Sequence, residues 1–134
     1  MLILQKGEVS IEFVVLVGII LIIFTFMISV IGIKNQDITD SMIYSDAQRI
    51  ANTIAYEINI ASRVEGYYSE FEIPEKIANI ENYSVEIKKD FRIVQVKWGD
   101  NSEMSNIVTE NVSGNVNPGL NKIRNEGGLI TIES

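Results

Sequence analysis

The side chains that could do chemistry in this sequence are mostly carboxylates. Neither His nor Cys occurs, so the usual general base, the commonest metal ligand and a thiolate nucleophile are missing. Glu70, Glu72 and Glu75 lie close together in the chain, but the first two share the solvent side of a predicted strand, which is typical of a solvated edge. Asp100–Glu103 supplies oxygen ligands without the spacing of a calcium loop. Trp98 could bind carbohydrate, although we interpret it as a core or interface aromatic. We therefore expect no enzyme activity, no metal and no cofactor.

One carboxylate is distinguished by its position. Glu12 directly precedes Phe13–Ile33, a run of twenty-one residues that carries no charge. Sixteen of the twenty-one are Leu, Ile, Val or Phe, and the length matches the roughly 20 residues that cross about 30 Å of hydrocarbon. A carboxylate beside such a run loses solvation and needs either a partner or access to the headgroups. The run predicts a helix that enters a membrane or an equally dry environment.

The flanking sequence bears on what happens to this helix. No small-residue cleavage site of the ordinary secretory kind follows the run, so an uncleaved signal anchor is one interpretation. The net charge of −7 argues against nucleic-acid binding, which depends on basic residues, and against docking on anionic lipid. The acidic remainder of the chain is predicted to lie outside the cell.

Lys6–Phe13, with the sequence KGEVSIEF, resembles the class III signal of archaeal type IV pilin-like proteins. In that family a short basic leader ending in Gly precedes the pattern Q-x-S-x-E-F and an apolar helix. The resemblance implies that a prepilin peptidase cuts between Gly7 and Glu8 and leaves the helix on the mature chain. Ser10, Glu12 and Phe13 match the pattern, whereas Glu8 stands where the family usually has Gln.

The resemblance also implies a role and a set of partners. Glu12 would be the fifth mature residue and would pair with the new amine of Glu8 on a neighbouring subunit. A carboxylate in an apolar bundle is costly alone and tolerable when paired, so this pair would penalise wrong registers. The partners implied are copies of the chain in a helical filament, the prepilin peptidase, a pilus assembly platform and, before assembly, the membrane.

The helix is predicted to continue beyond the apolar run. Polar residues follow in Lys34–Asp40, where a kink would be tolerated, and apolar residues then recur at steps of three and four, as on one helical face. Glu65 and Gly66 are predicted to end the helix, with Gly66 as the C′ residue. The apolar face predicted to pack on the globular part is Ile43, Ala47, Ile50, Ala51, Ile54, Ala55, Ile58 and Ala61.

The remainder is predicted to form five or six mostly antiparallel strands. Phe91–Trp98, apolar on both sides, is predicted to be central, and the turn-rich Gly99–Ser102 to follow it. The other predicted strands are Tyr67–Ile73, Tyr83–Lys88, Ser105–Val112 and, after a loop over Ser113–Gly119, a hairpin of Leu120–Asn125 with Leu129–Ile132.

The predicted fold class is therefore α+β, with a long N-terminal helix and a small antiparallel β head, as in type IV pilins. The predicted divisions are a leader at 1–7, a membrane or filament-core helix at 8–33, an amphipathic continuation at 34–65 and the head at 66–134. Two sequons, at Asn82 and Asn111, are candidate glycosylation sites if the head is extracellular.

Two functional classes remain open at this stage. The first is a structural subunit, major or minor, of a type IV pilus-like surface filament used in adhesion. The second is a single-pass membrane-anchored ectodomain that binds a ligand and never polymerises. Gly18 and Gly32 would permit close helix packing in the first class. An archaellin is disfavoured because Glu12 does not suit that group.

Overall fold

The computed structural model describes the backbone of residues 2–134 and the side chains of residues 10–134. The chain consists of one long helix followed by a small β domain, so the predicted α+β class is confirmed. It divides into two compact units, Met1–Asp40 and Ser41–Ser134, and we call the second unit the head.

The helix α1 extends from Leu2 to Ala61, a length of 60 residues. It remains helical through Lys34–Asp40, because that polar segment contains neither Pro nor Gly. It ends at Ala61, slightly earlier than expected. Gly66, at φ +75°, lies in the second of the two turns that follow the helix and is therefore not its C′ residue. Its N–H donates to the carbonyl of Asn125 at 3.1 Å.

The part of α1 that belongs to the head buries one face. All eight residues of the apolar stripe predicted from helical periodicity are buried, with Ile43 the most exposed at 7%. They form one core cluster with residues of the β-strands, including Val94, Val96 and Ile123. The head is stabilised mainly by the burial of branched aliphatic side chains, which several elements contribute around one face of α1.

Seven strands form two sheets instead of the five or six strands predicted. A four-stranded sheet has the order β1-β6-β7-β5, and a three-stranded sheet has the order β2-β3-β4. Neighbouring strands are antiparallel except β5 and β7, which are parallel. The strands are β1 (Tyr68–Ile73), β2 (Ser84–Lys88), β3 (Ile93–Trp98), β4 (Asn101–Asn106), β5 (Val112–Gly114), β6 (Gly119–Glu126) and β7 (Leu129–Glu133).

Several strand predictions are confirmed. The alternation of β1 buries Phe71 and Ile73 and exposes Glu70 and Glu72, as expected. The strand β3 is central in its sheet, although it starts at Ile93 because the preceding residues form a 3-10 turn.

The hairpin of β6 and β7 is also confirmed, and it closes with Glu126 opposite Leu129. Gly127 and Gly128, at φ +61° and +86°, supply the left-handed conformations that a two-residue hairpin turn requires.

Two strand predictions are wrong. Ser105–Val112 is not a strand as a whole, since β4 begins at Asn101 and ends at Asn106. The turn after β3 is correspondingly restricted to Gly99 and Asp100. The predicted loop over Ser113–Gly119 contains the end of β5, whose pairing with β7 uses only three residues.

Candidate functional site

The candidate functional segment is the apolar part of α1. Its large side chains are exposed around the whole helix, with Phe13 at 65%, Ile22 at 71% and Phe26 at 72%. The most apolar 18-residue window has a mean hydropathy of 3.2, and none of it is buried. Among residues 10–134 this is the one helix whose length and composition would allow it to cross a membrane.

The two hydroxyl groups within the segment are satisfied by the helix itself. Thr25 donates from Oγ1 to the carbonyl of Leu21 at 2.8 Å, and Ser29 donates from Oγ to the carbonyl of Thr25 at 3.0 Å. In hydrocarbon an unsatisfied polar group is costly, so these internal hydrogen bonds suit an apolar environment. The segment therefore presents a surface that water solvates poorly and that lipid or apolar helices can cover.

Small residues leave two gaps in this surface. A Cβ atom added at Gly18 or at Gly32 would have no neighbour within 4 Å. The backbone is therefore open to close approach at both positions, as small residues permit in membrane helix packing. No described contact of this chain uses either gap.

The predicted assembly residues lie on the same continuous helix. Ser10, Glu12 and Phe13 are all exposed. Phe13 comes three positions after Ser10, so these two share a face, whereas Glu12 lies on another side of the helix. The predicted processing residues, Gly7 and Glu8, lie outside the residues whose side chains the structure describes.

Both sequon asparagines are exposed in the head, outside the seven strands. Asn111 is held by its backbone, because its carbonyl accepts from the N–H of Ile130 at 2.9 Å and its N–H donates to Thr109 Oγ1 at 3.1 Å. Its side chain is left on the surface by these contacts. Asn82 lies two residues before Ser84, the first residue of β2.

One member of the acidic cluster, Glu70, is engaged in surface pairing. Glu70 accepts a hydrogen bond from the Tyr68 hydroxyl at 2.8 Å and lies 3.6 Å from Lys122 Nζ. The hydrogen bond to Glu70 is the main reason why the pKa of Tyr68 is raised above its ordinary value. No group of three acidic side chains within residues 10–134 is arranged to hold a metal ion.

Trp98 is a core aromatic, as interpreted from the sequence. Its side chain is only 6% exposed and packs edge-on against Tyr44, with ring centroids 5.1 Å apart and planes at 77°. A buried indole offers no flat face to a sugar, so a carbohydrate platform at this position is excluded.

Polar anchors inside the head were not identified by sequence reasoning. Asp46 directly precedes Ala47 of the apolar stripe, and its Oδ2 accepts from the N–H of Ala78 at 2.7 Å while its Oδ1 binds Arg49 at 2.5 Å. Partial burial would raise the pKa of the Asp46 carboxyl, but the hydrogen bond from Ala78 and the contact with Arg49 together lower it. No local signal in the sequence marks a contact across 32 residues.

Tyr83 lies near the same anchor. Its hydroxyl donates to the carbonyl of Pro74. Burial, reinforced by the nearby charges of Asp46 and Glu75, raises the pKa of Tyr83 to about 12. Asp46 therefore ties the segment between β1 and β2 to α1, and Tyr83 bonds the two ends of that segment to each other.

Comparisons with known proteins add no relative. No family model matches the chain, and neither a curated protein nor a solved structure matches it significantly.

Proposed function

We propose that this chain is the structural subunit of an archaeal type IV pilus-like surface filament of the kind used in adhesion. The single observation that carries the proposal is the exposed apolar surface of α1 over residues 13–33, on a helix that continues into the head core. An apolar surface of this extent needs a cover, and a bundle of identical helices provides one outside the membrane. The resemblance of Lys6–Phe13 to a class III signal supports the same function.

The proposed sequence of events uses this surface twice. Before assembly the apolar segment resides in the membrane, where the hydroxyls of Thr25 and Ser29 cost little because they are bonded within the helix. A prepilin peptidase then cleaves between Gly7 and Glu8. An assembly platform transfers the chain into the filament, where the segment packs against its copies and the head faces outward.

Glu12 sets the register in this proposal. It lies at the edge of the apolar segment and pairs with the amine of Glu8 that cleavage creates on a neighbouring copy. The pair forms at one axial stagger, and any other stagger leaves a carboxylate or an ammonium in an apolar bundle.

A membrane-anchored ectodomain is the second candidate, and one observation favours it. The length and composition of the segment are sufficient for a single membrane span without any assembly. The two candidates differ in the fate of the N-terminus and in the size of the particle. A minor or accessory pilin would share the cleavage with the first candidate but would not be the bulk of a fibre.

The testing experiment is N-terminal mass analysis of the chain recovered from its native cell surface. A chain that begins at Glu8, recovered in high-molecular-weight fibres, would support the filament subunit. A chain that retains residues 1–7 and is extracted by detergent as a small species would overturn it in favour of the anchored ectodomain. Cleaved chains in trace amounts within fibres made of another protein would identify a minor pilin.

A further inference from the structure

The aromatic side chain of Phe91 projects from the head. Phe91 is 75% exposed, which makes it the most exposed of the large hydrophobic residues in the head. It lies in the 3-10 turn Lys89–Phe91, between β2 and β3, and packs into no core. Covering this side chain with another surface would remove apolar area from water, which is favourable.

The turn holds Phe91 in a fixed position. Arg92 adopts the left-handed conformation at φ 54°, and its N–H donates to the carbonyl of Lys89 at 3.0 Å. The carbonyl of Arg92 in turn accepts from the N–H of Ile107 at 2.9 Å. Because the backbone on both sides is bonded, little conformational entropy is lost when Phe91 docks.

The surroundings of Phe91 are basic in a chain that is acidic overall. Lys88, Lys89 and Arg92 flank it, and Asp90 is the single acidic residue of the turn. Arg92 reaches Glu110 at 3.6 Å, but both side chains are more than half exposed, so the contact is weak. Neither lysine forms an ion pair within residues 10–134. We call Phe91 with these flanking cations the basic turn.

The four-stranded sheet carries an exposed apolar side chain with an acidic neighbour. Leu120 is 55% exposed on the outer side of β6, while its neighbour Asn121 is fully buried. Glu72 lies directly opposite Leu120 in the β1–β6 register. We call Leu120 with Glu72 the acidic patch.

We propose that the basic turn of one copy docks on the acidic patch of a second copy. Each surface has one exposed apolar side chain at its centre, and the flanking charges are of opposite sign, so the two are complementary. Because the surfaces differ and lie on different sheets, the contact is heterologous, and a heterologous contact that does not close generates an open helical array. The inference rests on the proposed function, which supplies the array.

The size of the contact limits its role. An aromatic side chain buries about 150–250 Å², far below the roughly 1,200 Å² of a stable independent interface. The contact therefore fixes the rotation between neighbouring heads, while the apolar helices hold the filament together. It also adds a charge-dependent contribution that salt weakens.

Disulfide trapping tests the contact directly, because the chain contains no cysteine. Cells would co-express two full-length variants, Phe91→Cys and Leu120→Cys, and the purified filaments would be oxidised under mild conditions. We expect covalent dimers between the two variants and at least tenfold fewer in filaments of either variant alone. The matched control replaces Leu120→Cys with Leu129→Cys, which is 49% exposed on the same sheet but opposite Glu126 at its other end.

A charge swap gives an independent readout. We expect Lys89→Glu to reduce disulfide trapping at least fivefold at low salt, and the added substitution Glu72→Lys to restore it. Restoration by Glu126→Lys instead of Glu72→Lys would overturn the assignment of the acidic patch.

The outcomes separate this inference from the proposed function. Wild-type filaments without trapping between positions 91 and 120 would overturn the contact and leave the filament function intact. Failure of the wild-type chain to form filaments would overturn both. Dimers of Phe91→Cys with itself would replace the heterologous contact by a symmetric one. A fluorophore on Phe91→Cys that responds to anionic vesicles and not to assembly would assign the turn to lipid and overturn the proposal.

Discussion

The carboxylate of Asp46 accepts a hydrogen bond from the backbone N–H of Ala78 at 2.7 Å and thereby joins α1 to the segment between β1 and β2. Ala78 and Asn79 both have positive φ, at 50° and 59°, which residues other than Gly adopt at a cost. Asp46 compensates for that cost, because a charged acceptor forms a stronger hydrogen bond than a neutral one. The segment thereby keeps Ile77 fully buried in the core.

Replacing Asp46 should destabilise the head. We expect Asp46→Ala to lower the free energy of unfolding by about 1–3 kcal/mol, because the N–H of Ala78 loses its acceptor. Unfolding of the full chain in detergent can be followed by the fluorescence of Trp98, the single tryptophan, which is buried in the head. Glu86→Gln is the control, since Glu86 pairs with Lys97 at an exposed site where water screens the charges, so its loss should change the stability little.

The contact between Asp46 and Ala78 predicts that the head loses stability at acidic pH. The pKa of Asp46 is lowered from 3.8 in the folded head, so the stabilisation is fully present above the unfolded pKa and is lost as the pH falls through the folded pKa. Between pH 6 and pH 2 the wild type should therefore lose more stability than Asp46→Ala. Parallel curves for the two proteins would contradict this role of the carboxylate.

The raised pKa of Tyr83 predicts that the head loses stability at alkaline pH. Its pKa is raised from 10.0 to about 12, so its contribution to stability is fully present below pH 10 and is lost as the pH rises through about 12. We expect Tyr83→Phe to lose less stability than the wild type between pH 9 and pH 12 in the same fluorescence assay. Tyr56→Phe, at a position 62% exposed, should follow the wild-type curve. Identical slopes for Tyr83→Phe and the wild type would refute the prediction.

Replacing Asn125 should lower the free energy of unfolding of the head more than replacing most of its other polar residues. Its Nδ2 donates to the carbonyls of Ala61 and Val64 at 2.7 and 3.2 Å, and its Oδ1 accepts from the N–H of Gly128 at 2.9 Å. Asn125→Leu should cost about 2–4 kcal/mol, because the last carbonyl of α1 and a turn N–H both lose partners.

Urea unfolding midpoints would measure this loss. The neighbouring substitution Arg124→Leu removes only exposed ion pairs and should cost less than about 1 kcal/mol. Equal midpoints for the two variants would show that Asn125 has no special role.

Periodicity predicted the parts of the fold where burial follows hydrophobicity. The stripe of α1 from Ile43 to Ala61 was predicted residue by residue, since a helix face in a core must be apolar. The strand β4 was missed because Asn101–Asn106 contains only one large apolar residue, Met104, and is recruited by backbone pairing with β3. Local pattern does not encode such pairing.

Buried polar residues limited the prediction in a different way. Hydropathy gives no reason for Asn121 to be buried beside the exposed Leu120. The structure explains Asn121 by hydrogen bonds, because its Nδ2 donates to the carbonyls of Asn117 and Gly119. These hydrogen bonds span only two and four residues, but a hydropathy pattern does not register them. The segment around Glu12 can be identified from the sequence alone, because an apolar run with an adjacent carboxylate is a local pattern that does not depend on tertiary structure.

Gly114 should be essential for the parallel pairing of β5 with β7. A Cβ at this position would lie 1.9 Å from the carbonyl oxygen of Ile132, and φ is +98°. Gly114→Ala should therefore cost at least about 3 kcal/mol through combined clash and backbone strain. Gly127→Ala has positive φ but no atom within 4 Å, so it isolates the strain and should cost about 1 kcal/mol. Hydrogen exchange at Ile130 and Ile132 should rise in the first variant and not in the second.

Glu12→Gln should impair filament assembly and leave processing and membrane insertion unchanged. The substitution keeps the size of the side chain but removes its charge, so the amine of Glu8 on a neighbouring copy would be left unpaired in an apolar bundle. An uncompensated buried charge costs on the order of 3–5 kcal/mol, so filament yield should fall at least about tenfold. Cleavage after Gly7 and membrane extraction behaviour should stay as in the wild type, because neither depends on the pair. Asp37→Asn, which likewise removes an exposed carboxylate charge from α1 but beyond the apolar segment, should leave the yield within about twofold. Normal filaments from Glu12→Gln would mean that the carboxylate only extends to headgroups, and the register would then have to come from the apolar surface alone.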